Sequence, residues 1–118
     1  MTKIKGRGTF MNLFAQLDCD GQEEKADVLF ENLHARIERI VSSGQVSPEG
    51  FWYEQDEDEW VTVLQGEGRI QYENGDVTVL RTGDCVLLPA GKRHRVSYTS
   101  KQPPCIWLCV FSGKEDGR

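Results

Sequence analysis

No stretch of this sequence approaches the ~20 apolar residues of a membrane-spanning helix, so no helical span is expected. The opening MTKIKGRGTF is basic, but no apolar run follows it, and no secretory signal is read there. Basic residues are outnumbered by acidic ones, 14 to 19, giving a net charge of −5. That balance suggests no phosphate-backbone partner. The four cysteines, Cys19, Cys85, Cys105 and Cys109, include no CxxC pair. Cys105 and Cys109 lie in the apolar run CIWLCVF and Cys85 in an apolar strand, where reduced, shielded thiols are the expectation. A cytoplasmic address follows. Ser42, Ser43 and Ser47 have no accompanying His–Asp pattern and the cysteines no obvious activating base, so no nucleophile is assigned. There is also no internal repeat, since the two VTVL strings sit in different contexts. With 118 residues the chain suffices for one domain and not for two.

What remains is short-period texture. Met1 to Thr9 has no periodicity, and residues 1–10 read as a disordered tail ahead of a single domain at 11–118. Asp20 to Ala35 predicts one N-terminal helix. Ala26, Leu29, Phe30 and Leu33 fall at helical spacing, and Asp20 with Glu23 makes a capping box. His34, at its far end, reads as a cap or surface residue. Beyond it come short strands: Arg36 to Val41, Val61 to Leu64, Arg69 to Glu73, Val77 to Leu80, Cys85 to Leu88, His94 to Tyr98 and Cys105 to Phe111. Turn signals divide them at Gly66–Gly68, Asn74–Gly75, Thr82–Gly83, Pro89–Gly91 and Pro103–Pro104. Asn74–Gly75 predicts a type I′ hairpin. Strands at this spacing imply a sandwich or barrel.

One segment is more specific. Gly83 to His94 reads GDCVLLPAGKRH, with the skeleton G-x5-P-x-G-x2-H. Gly83 turns the chain into a strand, and Pro89 ends that strand because it cannot donate to a ladder. Gly91 takes the positive φ of a tight turn, and His94 opens the next strand. A chance match has a frequency on the order of one in a thousand.

These residues resemble the second motif of the cupin superfamily, with Tyr98 in place of its closing Asn. The stretch YEQDEDEWVTVLQG is similar to the first motif. It sets Tyr53 and Gln55 in the places of two His, Glu59 in the place of the Glu and Gly66 in that of the last Gly; Ser47 stands where the first Gly is expected. The resemblance covers residues 36–111 and is strongest to small single-domain bacterial cupin-2 proteins. It implies an all-β fold, a cupin-type double-stranded β-helix or jelly-roll barrel, here preceded by the one helix.

The resemblance also implies a site. Cupins typically hold one divalent metal through three His and one Glu, of which Glu59 and His94 remain here. Gln55 and Tyr53 offer oxygens in place of imidazole. Residues 53, 55 and 59 share strand parity and converge on one face, whereas Glu54, Asp56 and Asp58 point to solvent. Two readings stay open. In one, Tyr53, Gln55, Glu59 and His94 hold a divalent ion more weakly than a three-His site, as suits harder ligands. In the other, Glu59 and His94 pair in a metal-free pocket whose hydrogen bonds Gln55 and Tyr53 complete. Either way a small-molecule ligand is expected. Glu59 and His94 are the candidate acid–base residues of a metal-dependent alternative, sugar isomerase-like or dioxygenase-like. Arg93 and Arg95 alternate away from His94 and read as solvated. The partner expected, besides the ligand, is a second copy of the chain, with no nucleic acid and no membrane.

Overall fold

Gly and Pro interrupt the apolar segments too often for long helices, and the intervening residues alternate, so the chain folds as strands. The computed structural model describes residues 3, 4, 8–18 and 22–113. Ten strands follow one another: β1 (Lys3–Ile4), β2 (Gly8–Thr9), β3 (Lys25–Glu31), β4 (Ala35–Ser42), β5 (Asp58–Gln65), β6 (Glu67–Tyr72), β7 (Val77–Arg81), β8 (Cys85–Leu88), β9 (His94–Thr99) and β10 (Cys105–Ser112). All pairings between them are antiparallel. β3-β4-β10-β5-β8 form one sheet and β7-β6-β9 another, while β1 pairs only with β2. Among the described residues no helix is long and apolar enough to cross a membrane.

The core lies where the two larger sheets meet. Val61, Val63, Trp107, Cys109 and Phe111 come from the five-stranded sheet, and Ile70 and Leu80 from the three-stranded one. Gly68 is required by close approach. A Cβ there would overlap the six-membered ring of Trp107. The indole is held in turn by its Nε1–H donating to Ser42 Oγ at 3.1 Å.

The expected helix at Asp20 to Ala35 is not formed. Asp20 lies outside the described residues, and Lys25–Glu31 is an edge strand paired with β4. The register shifts between Val28 and Phe30. That bulge adds one residue to a period of two, so Ala26 lines the inner cavity while Phe30 pairs with Ile37 on the other face, and Leu33 is exposed; the helically spaced residues share no face. The open edge of β4 then wins over helix propensity, which is a weak preference. His34 is not a helix cap. It sits in the β3–β4 turn, where Asn32 Oδ1 accepts the amides of His34 and Ala35.

The Asn74–Gly75 hairpin also differs in type. Tyr72 O accepts from Gly75 N, Tyr72 N donates to Asp76 O, and Gly75 has φ of 95°. Asn74 is not at positive φ, as a type I′ turn would need, so the loop is a three-residue connection ending in a left-handed Gly. Asn74 Oδ1 accepts the Asp76 amide and fixes it.

Candidate functional site

Two loops and one strand start build the site. Gly83 and Gly91 take φ of 90° and 82°, and β8 ends at Leu88, one residue before Pro89. The loop after Pro89 folds back by Lys92 N donating to Pro89 O, and β9 opens at His94. The segment before β5 is tied to this loop. Tyr53 and His94 exchange backbone hydrogen bonds at 2.7 and 3.1 Å, and Gly91 N donates to Gln55 O at 2.7 Å. Ala90 N donates to Asp58 Oδ1 at 2.8 Å. The two motif segments are therefore laced together by backbone, and the side chains of Tyr53, Gln55, Glu59 and His94 follow.

All four line one cavity of about 260 Å³. Gln55 Nε2 donates to Glu59 Oε1 at 2.9 Å. His94 Nε2 lies 3.7 Å from the same oxygen. The Tyr53 ring stacks on the imidazole, centroids 5.4 Å apart. His94 and Glu59 are both buried. His94 Nδ1 lies 2.9 Å from Lys92 O, and a carbonyl only accepts, so Nδ1 carries the proton in that bond. This fixes the ring and turns Nε2 into the cavity.

Further residues line the cavity that the motifs did not point to. Cys109 on β10 donates its thiol to Glu59, and Arg36 and Glu38 on β4 stand on the far side with Glu24. Burial pushes the Cys109 thiol well up, and the Glu59 charge adds to it. Burial likewise raises the Tyr53 phenol, with Glu24, Glu59 and Cys109 contributing, and pushes the Cys105 thiol up to about 12. Arg36 is bridged by Glu38 at 2.5 Å and Glu57 at 3.1 Å and lies over the Phe111 ring. Parity along β10 and β4 marks Cys109, Phe111, Arg36 and Glu38 as one face, and the register places Phe111 between Glu59 and Arg36.

The remaining candidates lie elsewhere. Arg93 pairs with Glu54 and Glu73, and Arg95 with Gln71 and the Ser47 carbonyl, so neither reaches the cavity. Ser47 is structural: its hydroxyl accepts the Val96 amide. Trp52 faces Arg93, Trp60 is partly exposed on the outer face and, of the three, only Trp107 lines the cavity. Cys85, expected to be shielded in an apolar strand, is exposed, because Val86 and Leu88 occupy the inward positions of edge strand β8. Cys19 lies outside the described residues.

The donor set does not fit a resident divalent ion. Among the described residues no three His, Cys, Asp or Glu side chains are grouped to hold one. Gln55 presents its amide N–H to Glu59, and the raised Tyr53 phenol stays protonated. Glu59 and His94 remain as ordinary ligands beside the Cys109 thiol, which burial keeps protonated, short of the three or four that zinc takes.

A model of the family described as Cupin domain matches residues 39–111. A solved structure from Ralstonia eutropha JMP134, described as a candidate mannose-6-phosphate isomerase, is 40% identical. The match covers 90% of this chain and 99% of that one, with a TM-score of 0.85. An uncharacterized conserved protein with a double-stranded β-helix domain from Klebsiella pneumoniae subsp. pneumoniae MGH 78578 shares the fold at 21% identity and a TM-score of 0.73. That match covers 92% of each chain. A 47-residue stretch is 34% identical to the RCS-specific HTH-type transcriptional activator RclR of Escherichia coli (strain K12). It spans 40% of this chain and only 16% of that protein.

Proposed function

The chain belongs to the cupin domain family, and from that premise we propose that its cavity binds a small molecule through Glu59, His94 and Gln55 without a resident metal. The observation that carries this reading is the hydrogen-bonded group itself. An amide side chain and a ring nitrogen turned into the cavity converge on one oxygen of a buried carboxylate, at 2.9 and 3.7 Å. Convergent polar groups against apolar walls are the ordinary form of a ligand site. Val61, Ile70, Leu88, Val96 and Trp107 supply the apolar walls. Free thiols at Cys85, Cys105 and Cys109 suit a cytoplasmic address for this binding protein.

A catalytic reading rests on the same pair. Glu59 and His94 offer one acid and one base at the same wall, as proton exchange in a sugar isomerase-like reaction needs. The likeness to the Ralstonia protein makes that class the first to test. A dioxygenase-like reaction would need a metal site that the donor set does not fit. Mannose and mannose 6-phosphate, added in chelator-containing buffer and followed by NMR, separate the readings. Isomerisation of either sugar to its ketose that disappears in Glu59→Gln supports catalysis. Binding without turnover supports the binding protein. Neither binding nor turnover of any small polar probe, across a broad thermal-shift panel, would overturn the proposal.

A further inference from the structure

We infer that the cavity is selective for a small organic cation, a primary ammonium on an apolar body; the inference rests on the small-molecule reading above and names its ligand class. The reason lies in the 3.7 Å gap between Glu59 Oε1 and His94 Nε2. With Nδ1–H committed to the Lys92 carbonyl, a neutral imidazole presents only its lone pair at Nε2. A carboxylate oxygen that already accepts from Gln55 Nε2 but keeps a second lone pair then faces a nitrogen lone pair, too far apart to bond, and a donor placed between them would serve both. His94 is 5% exposed, and its Nε2 atom is turned into the cavity. Water offers donors to such a pair only by leaving the cavity filled.

An ammonium nitrogen fits between them. It carries three N–H donors and no acceptor, and one nitrogen can sit about 2.8 Å from both atoms. A hydroxyl has a single donor and serves only one of them. A carboxylate or phosphate has none and would meet Glu59 charge to charge. The electrostatics of the rest of the cavity agree. Glu24, Glu38 and Glu59 line it against one guanidinium, Arg36, and that guanidinium is already bridged by Glu38 and Glu57. The described residues form no helix whose N-terminus could hold an anion. Between the acidic groups the floor carries Phe111 opposite Glu59 in the register and Trp107 four residues along, beyond Cys109. An ammonium at Glu59 therefore leaves its carbon skeleton against aromatic faces.

Three matched probes test this: 2-phenylethylamine, 2-phenylethanol and phenylacetate, titrated calorimetrically into the full chain at pH 8 with chelator present. The amine should bind at least about tenfold more tightly than the alcohol, since charge-assisted hydrogen bonds exceed neutral ones, and the acid should bind least. Glu59→Gln should bring amine and alcohol together. Should that variant not fold, His94→Phe keeps the ring stack on Tyr53, deletes the acceptor and should shrink the same preference. Equal or tighter binding of the alcohol or acid overturns the inference and leaves the small-molecule reading standing. A preference for the amine that survives both substitutions also overturns it. No binding of any probe counts against both.

Discussion

Gly68→Ala places one methyl group inside the Trp107 ring system. To recover an ordinary carbon–carbon separation of about 3.5 Å, the indole must retreat by about 1 Å. It has little room to do so without loss. Its Nε1–H is bonded to the buried Ser42 hydroxyl at 3.1 Å, and the ring is part of the core with Val63 and Cys109. Overpacking of this kind costs about 1–3 kcal/mol, and the weakened indole bond adds about 1 kcal/mol. Replacing Gly in a strand returns about 0.5–1 kcal/mol of backbone entropy. The net destabilisation is then about 1.5–3 kcal/mol. At about 4 °C per kcal/mol for a domain of this size, Tm should fall by about 6–12 °C in scanning calorimetry. Because Trp107 also lines the cavity, the ligand affinity of the folded variant should drop as well. A loss below about 2 °C would show that the indole is not confined and that the packing argument for Gly68 is wrong.

Three further outcomes are expected. Gln55→His adds an imidazole beside Glu59 and His94 and should create zinc or nickel binding measurable by calorimetry, because imidazole suits these ions better than an amide; no gain over the parent would mean that residue 55 does not point where Glu59 and His94 meet. Cys85 should react with a thiol reagent at pH 8 much faster than Cys105 and Cys109, since it is exposed and their buried thiols are pushed up; equal rates, read by mass spectrometry of the labelled peptides, would contradict the inward placement of β10. The outer face of the larger sheet carries Leu87, Trp60, Val110, Ile37 and Phe30 in register across five strands, with Leu87, Trp60 and Phe30 well exposed. We expect a second copy to cover it, giving twice the 13.4 kDa chain mass in light scattering and a monomer on Trp60→Glu; a monomeric parent at all concentrations would refute this.

The sequence made the barrel legible where turn chemistry is explicit. Gly83, Pro89 and Gly91 bracket β8 and deliver His94 to the start of β9, as their backbone requirements dictate. Parity at 53, 55 and 59 likewise brought Gln55 and Glu59 into contact. The β3 strand was hidden because the helical spacing of Ala26, Leu29, Phe30 and Leu33 matches no shared face, the bulge between Val28 and Phe30 breaks the period-two signal, and a local pattern holds no trace of the β4 edge that captures it. Arg36 and Glu38 were hidden for a related reason. On a strand whose charged residues face a cavity, alternation of polar with apolar weakens, and the partner Glu57 is 21 residues away. Cys85 was misjudged because C-V-L-L is apolar throughout, so periodicity does not say which face is inward. Cys109 could have been placed by counting from Trp107 and Phe111, which share its parity on β10.

The account turns on Glu59, His94 and Gln55 acting as a hydrogen-bonding group in their own right. Metal content per chain, measured by plasma mass spectrometry on protein purified without chelator, tests it most directly. Far less than one equivalent of any divalent metal is expected, with Gln55→His taking up more. Close to one equivalent in the parent, retained through dialysis and lost in Glu59→Gln, would contradict it.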